Sequence, residues 1–139
     1  MLLIQFLLGM AVNLFVTIPT DHPGARPSAY FTGVAQSVTW AITQGDILLI
    51  LRASFGLVLV AGALFLLFQG IRSRIRSLVM TTGFGAFGVI AAGFNGGNFL
   101  NYNEDFSSIL MATGLAVAAA AYVIGLYVTA RNPTSTASH

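Results

Sequence analysis

The 139-residue chain contains no cysteine and no lysine. Disulfides, thiolate zinc sites and cysteine-held iron–sulfur clusters are thereby excluded. Charge of either sign is scarce: six arginines and four acids make up 7% of the chain, against about 25% in an ordinary soluble domain. So few charges cannot cover the surface of a water-soluble globule of this size, which rules out a soluble enzyme, a nucleic-acid binder or a disordered chain. Histidine occurs only at His22 and His139, both outside the long apolar runs, so haem held by two histidines of this chain is not available. Asp21 and His22 adjoin, but two ligands without a third make a solvated turn rather than a metal site.

No H-E-x-x-H, G-x-S-x-G, Walker A or dinucleotide fingerprint is present. No acid falls inside a long apolar run, which removes the usual intramembrane proton or cation relay. The sequence therefore predicts no catalytic residue, no metal site and no cofactor, and an active site confined to this polypeptide is not expected.

Apolar residues, by contrast, make up 56% of the chain and the mean hydropathy is +0.84. A bilayer core about 30 Å thick requires roughly 20 mostly apolar residues per crossing helix. Four stretches answer to that description: residues 1–18, 47–69, 78–100 and 106–129. None alternates with period 2, so a β-barrel is disfavoured. The expected fold is an all-α integral membrane protein, an antiparallel bundle of four transmembrane helices forming one domain over residues 1–131. Residues 132–139 form a polar tail expected to be disordered. The first run lacks a basic leader and a clear cleavage site and reads as a signal anchor rather than a cleaved signal peptide.

Arginine placement orients the bundle. Arg72, Arg74 and Arg76 crowd the short second connection, and Arg131 flanks the last run. Cytoplasmic loops collect such residues, which puts both termini in the cytoplasm and suggests a cell-membrane location. Asp21, Asp46, Glu104 and Asp105 then fall outside. Between the first two runs, residues 28–43 carry helical spacing. Phe31, Val34, Val38 and Ile42 share one face; Ser28, Thr32, Gln36, Thr39 and Thr43 share another. With Tyr30 and Trp40 at headgroup depth, this segment is expected to lie on the outer surface as a short amphipathic helix.

Helices in lipid associate through close backbone approach at small residues. Thr81, Gly85, Gly88 and Ala92 form one such stripe; Ser107, Gly114, Ala118, Ala121 and Gly125 form a second. Gly56 and Ala63 lie on the Arg52 face of the second run. The stripes are expected to meet inside the bundle, leaving Phe65, Phe68, Phe84 and Phe87 to face lipid or a neighbouring protein.

Arg52 sits about one turn inside its run. It either snorkels to headgroups or pairs with Asp46, Glu104 or Asp105, or else it serves an anion, substrate or lipid phosphate or an ion pair across subunits. Residues 93–105 hold four asparagines and three glycines. They read either as a glycine-capped helix end with a polar turn or as broken helix at a pore mouth or ligand pocket built from Asn95, Asn98, Arg52 and the external helix, whose Trp40 completes the candidate contacts.

These features favour a non-catalytic accessory subunit of a larger membrane complex, partnered by the bilayer and by other integral-membrane subunits or by copies of itself. Two other readings stand beside it. One is a homo-oligomeric channel or small transporter with an anion-attracting site near Arg52. The other is the membrane anchor of a redox or quinone enzyme.

Overall fold

A computed structural model describes residues 1–17, 19, 21, 23–24, 29–102 and 105–131. Five helices follow one another: α1 (Leu2–Phe15), α2 (Tyr30–Thr43), α3 (Ile47–Ser73), α4 (Arg76–Tyr102) and α5 (Asp105–Arg131). No strand occurs among the described residues. Three helices contain spans long and apolar enough to cross a membrane: Ile47–Ser73, Arg76–Phe99 and Ile109–Arg131. At 1.5 Å per residue, the 14 residues of α1 rise only about 21 Å. The expected first span over residues 1–18 is thus a shorter apolar helix, below the roughly 30 Å of a bilayer core.

Why the chain turns where it does is local chemistry. Asp46 caps α3, its carboxylate accepting the Leu48 N–H at 3.1 Å; this satisfies one of the orphan donors at a helix start. The far end of α3 closes on Arg74, whose φ of 56° is left-handed, a position usually given to glycine. Ser73 braces that turn: its hydroxyl donates to the Gly70 carbonyl at 2.6 Å and accepts the Ile75 N–H at 3.2 Å.

The α4–α5 pair is antiparallel and tightly registered. Gly125 faces Thr81, Gly85 faces the Tyr122 ring, Gly88 faces Gly114 and Ala118, and Gly114 faces Ala92. A Cβ at Gly88 would lie 2.6 Å from the Gly114 carbonyl oxygen; one at Gly114 would lie 2.8 Å from that of Gly88. Backbone meets backbone here, which only glycine permits. Helix α3 packs antiparallel on the other side, with Gly70 against Thr82 and Gly93 nearest Val60. Hydroxyls within the spans turn back on their own helices, Thr81 to the Ser77 carbonyl and Thr82 to that of Leu78, so they are satisfied without a partner helix.

The interior is correspondingly built of small groups. One cluster joins Ala63, Ala86, Val89 and Ala118; another joins Val12, Ala41, Leu49 and Phe99. Large apolar side chains such as Phe65, Phe68, Phe84 and Phe87 lie exposed on the chain's outer faces.

Two expectations are revised. Residues 93–102 neither cap nor break α4, which runs unbroken to Tyr102. None of Gly93, Gly96 or Gly97 takes a positive φ. They serve close approach instead: Gly97 abuts Val34 of α2, and Gly96 is nearest Met111 of α5. In lipid, freeing backbone groups costs several kcal/mol each, more than the ~1 kcal/mol by which a glycine disfavours helix.

The second revision concerns α2. The helix begins at Tyr30 and buries Gly33, Ser37 and Ala41; on the apolar face Val34, Val38 and Ile42 are half-buried and Phe31 is exposed. Small residues win because the chain runs close across them. Gly24, at φ +92°, lies so near Gly33 and Ser37 that a side chain there would collide with both. Phe31 instead joins Tyr30 and Phe94 in an edge-to-face and stacked ring group, with ring centroids 5.5 to 6.4 Å apart. The Tyr30 hydroxyl donates to the Phe94 carbonyl at 3.2 Å, tying the start of α2 to α4.

Substituting Gly88→Val is expected to cost about 1–3 kcal/mol, read as a lower midpoint in detergent unfolding by sodium dodecyl sulfate. Gly62→Ala, where a Cβ meets nothing within 4 Å, should unfold no earlier than the parent.

Candidate functional site

Arg52 is placed on α3 just over one turn from Ile47, and it turns inward. It is 7% exposed, so it does not snorkel. Its Nη2 donates to the Met111 thioether of α5 at 2.7 Å, and its guanidinium carbon lies 5.5 Å from the centre of the Phe99 ring on α4. A thioether is a weak acceptor, and a phenyl face offers only a cation–π contact. Asp46, one expected partner, is committed to capping α3, and no ion pair to Arg52 occurs among the described residues. Pairing with Glu104 or with the Asp105 side chain lies outside what is described.

Beside the guanidinium is a partly open cavity of about 130 Å³. Its walls are mostly aliphatic: Leu57, Leu59 and Val60 of α3, Val89 of α4, Leu115 of α5 and Val38 of α2. Small residues make the space, because Ala53, Gly56, Ala92, Gly93 and Gly96 line it without filling it. The same compactness that brings the helix backbones together thus leaves a void where their side chains are too short.

The second polar group in this wall is Gln5 of α1, which the sequence reading did not single out. Its Nε2 donates to the Arg52 carbonyl at 3.1 Å, anchoring α1 across α3. Its Oε1 is buried with no hydrogen-bond partner. On its far side a smaller cavity of about 40 Å³ runs between α1 and α5. The signal was available: a lone amide inside an otherwise apolar run.

The other candidates sit elsewhere. Asn95 is half-buried and spends its Nδ2 on the Ala91 carbonyl one turn back, at 2.8 Å. Asn98 is half-buried on α4, and neither asparagine lines the Arg52 cavity. Trp40 packs against the cluster of Val12, Ala41, Leu49 and Phe99; it also borders a shallow hollow on α2 with Gln36, Thr39 and Thr43. The stripe residues Gly85, Gly88, Ala92, Gly114, Ala118, Ala121 and Gly125 are all buried. Arg72, Arg74 and Arg76 are exposed around the α3–α4 turn. The register of α5 on α4 brings Arg131 to the same end, where its Nη1 donates to the Tyr127 hydroxyl at 2.9 Å. His22, Arg26 and the tail 132–139 lie outside the described residues, as does the Tyr102 side chain.

Chemically, the arrangement supplies one fixed positive charge, one spare amide acceptor and an aliphatic enclosure. It can bind and orient. Among the described residues that line the cavity, none is a nucleophile paired with a base. Compared with protein-family models, with curated proteins and with solved structures, the chain matches none.

A buried charge held by such weak partners is a burden on the fold. Arg52→Met, close in length and apolar, is expected to leave the unfolding midpoint in neutral detergent unchanged or raised. Gln5→Leu should lower it modestly, by about 1 kcal/mol for the lost hydrogen bond. Circular dichroism during detergent titration reads both.

Proposed function

We propose that this protein is a non-catalytic accessory subunit of a larger integral-membrane complex. The observation that carries the reading is the condition of α3. It holds the most apolar of the three long spans, with mean hydropathy 2.3, yet only 17% of that stretch is buried by the rest of the chain, against 28% for each of the other two. Leu51, Leu57, Val58, Leu64, Phe65 and Phe68 stand exposed along it. Phe84 and Phe87 continue the exposed aromatic surface on α4. Lipid tails reward association only where surfaces pack well, and rigid rings give a neighbouring helix more dispersion contact than mobile chains do.

In this reading the chain sits in the cell membrane with its arginine-rich end in the cytoplasm. Helix α2, with Tyr30 and Trp40, lies along the outer surface. Helix α1 makes a fourth crossing, its short length met by extended residues such as Val16 and by local bilayer thinning. Both termini are then cytoplasmic.

Extraction of the native protein in digitonin, followed by affinity capture and mass spectrometry, is expected to recover it with larger membrane proteins in fixed ratio. Recovery as a lone monomer would sink the proposal. Because the chain has no cysteine, single-cysteine labelling tests the orientation on a clean background. Ser73→Cys should react with an impermeant maleimide only after the membrane is opened, and Asp21→Cys in intact cells. The reverse pattern would invert the topology.

A further inference from the structure

We propose that the cavity beside Arg52 is a binding site for the carboxylate head of a single-chain membrane amphiphile, of the fatty-acid class. The site is independent of any partner subunit. Three observations converge on it.

The first is charge. An arginine stays protonated, and a guanidinium this buried needs a counter-charge. Among the described residues it finds a thioether and a phenyl ring. Its planar fork of N–H donors matches a carboxylate, which it can hold by two parallel bonds.

The second is the orphaned acceptor. Gln5 Oε1 is buried without a partner at the wall of the same cavity, while its amide nitrogen is committed to the Arg52 carbonyl. A turn of the Gln5 side chain that opens Oε1 to the cavity lets a water entering with the ligand donate one hydrogen to it and the other to the carboxylate, satisfying both. Anion and amide are thus served together.

The third is the enclosure. Apart from Arg52 and Gln5 the cavity is lined by apolar side chains and glycines, and it is partly open. A void of about 130 Å³ takes a head and the first methylenes, on the scale at which a ~150 Å³ apolar cavity holds benzene. A bare inorganic anion would leave the aliphatic walls unfilled. A head carrying glycerol would bring several hydroxyls to walls formed by Leu57, Val60, Val89 and Leu115, where Gln5 Oε1 is the one spare side-chain acceptor among the described residues. A carboxylate joined directly to a hydrocarbon chain has the polarity profile of the site, polar at one end and aliphatic beyond.

The test uses the intact chain in dodecyl maltoside with 9,10-dibromostearate as probe. Trp40, the single tryptophan, packs on the cluster that contains Leu49, and Leu49 also lines the cavity, so the bromines on the chain that leaves the seated head through the open side pass near the ring and quench it. Saturable quenching is expected, reversed by excess oleate but not by methyl oleate or by acetate. Arg52→Met should weaken the probe by at least about tenfold and Gln5→Leu by about threefold, on the scale of one charged and one neutral hydrogen bond. The ligand-side comparisons need no variant, so a variant that fails to fold does not blunt them. The proposal is overturned if quenching does not saturate, if methyl oleate competes as well as oleate, if acetate alone displaces the probe, or if folded Arg52→Met binds as the parent does.

Discussion

The contact between the backbones of α4 and α5 at Gly88 and Gly114 sets the terms for the rest of this fold. In water, helices associate because burying large apolar side chains removes them from solvent. In lipid that reward is absent, and what remains is how closely two helices approach. Here they approach until each glycine carbonyl occupies the place of the other's missing side chain. Once the interface is built from glycine and alanine, the large side chains have nowhere to go but outward. The small-residue core and the exposed phenylalanines of α3 and α4 are two results of one constraint. The register fixed by that contact also gathers Arg131 with Arg72, Arg74 and Arg76 at one end, and places Met111 level with Gly96 at the other.

The cavity follows from the same cause. Close packing of backbones tolerates no bulk, so the facing residues at the Arg52 level are also small. As α2 and α1 join at this end, the helices cannot all be in contact at once, and glycines that permit approach to one neighbour leave space beside another. Gly93 and Gly96 touch Val60 and Met111 only at ordinary van der Waals distance, unlike the compressed Gly88. Arg52 lines that slack region.

How far the sequence disclosed this depends on the kind of signal. The three long spans are legible because length and apolarity are properties of each segment alone. Helix α1 was misjudged in extent because apolar composition continues past Phe15 while the backbone becomes extended at Val16. In residues 93–102 the glycines and asparagines invite a break by intrinsic propensity. In an apolar medium the unbroken hydrogen-bond ladder dominates, and Asn95 even returns its side chain to Ala91. On α2, periodicity locates the apolar side chains, but it does not say that Gly24 crosses at Gly33 and Ser37. That contact depends on the path of the loop. At the site, Arg52 announces itself by its charge, while its inward rotamer and the approach of Gln5 are tertiary facts. A single glutamine in an apolar run carries a faint signal, and only its position opposite Arg52 gives it meaning.

Arg52 also poses a question of economy that packing cannot answer. The void is large enough, and the walls apolar enough, for a longer aliphatic residue to fill the space with better contacts and no desolvation cost. Nothing about the α4–α5 interface needs a positive charge at this level, and α1 is held through the Arg52 carbonyl, which any residue would supply. A buried cation with no ion pair among the described residues works against folding, and perturbed charges of this kind cluster where something binds. In the proposed reading an external carboxylate supplies the counter-charge. The aliphatic walls describe the remainder of the molecule that brings it.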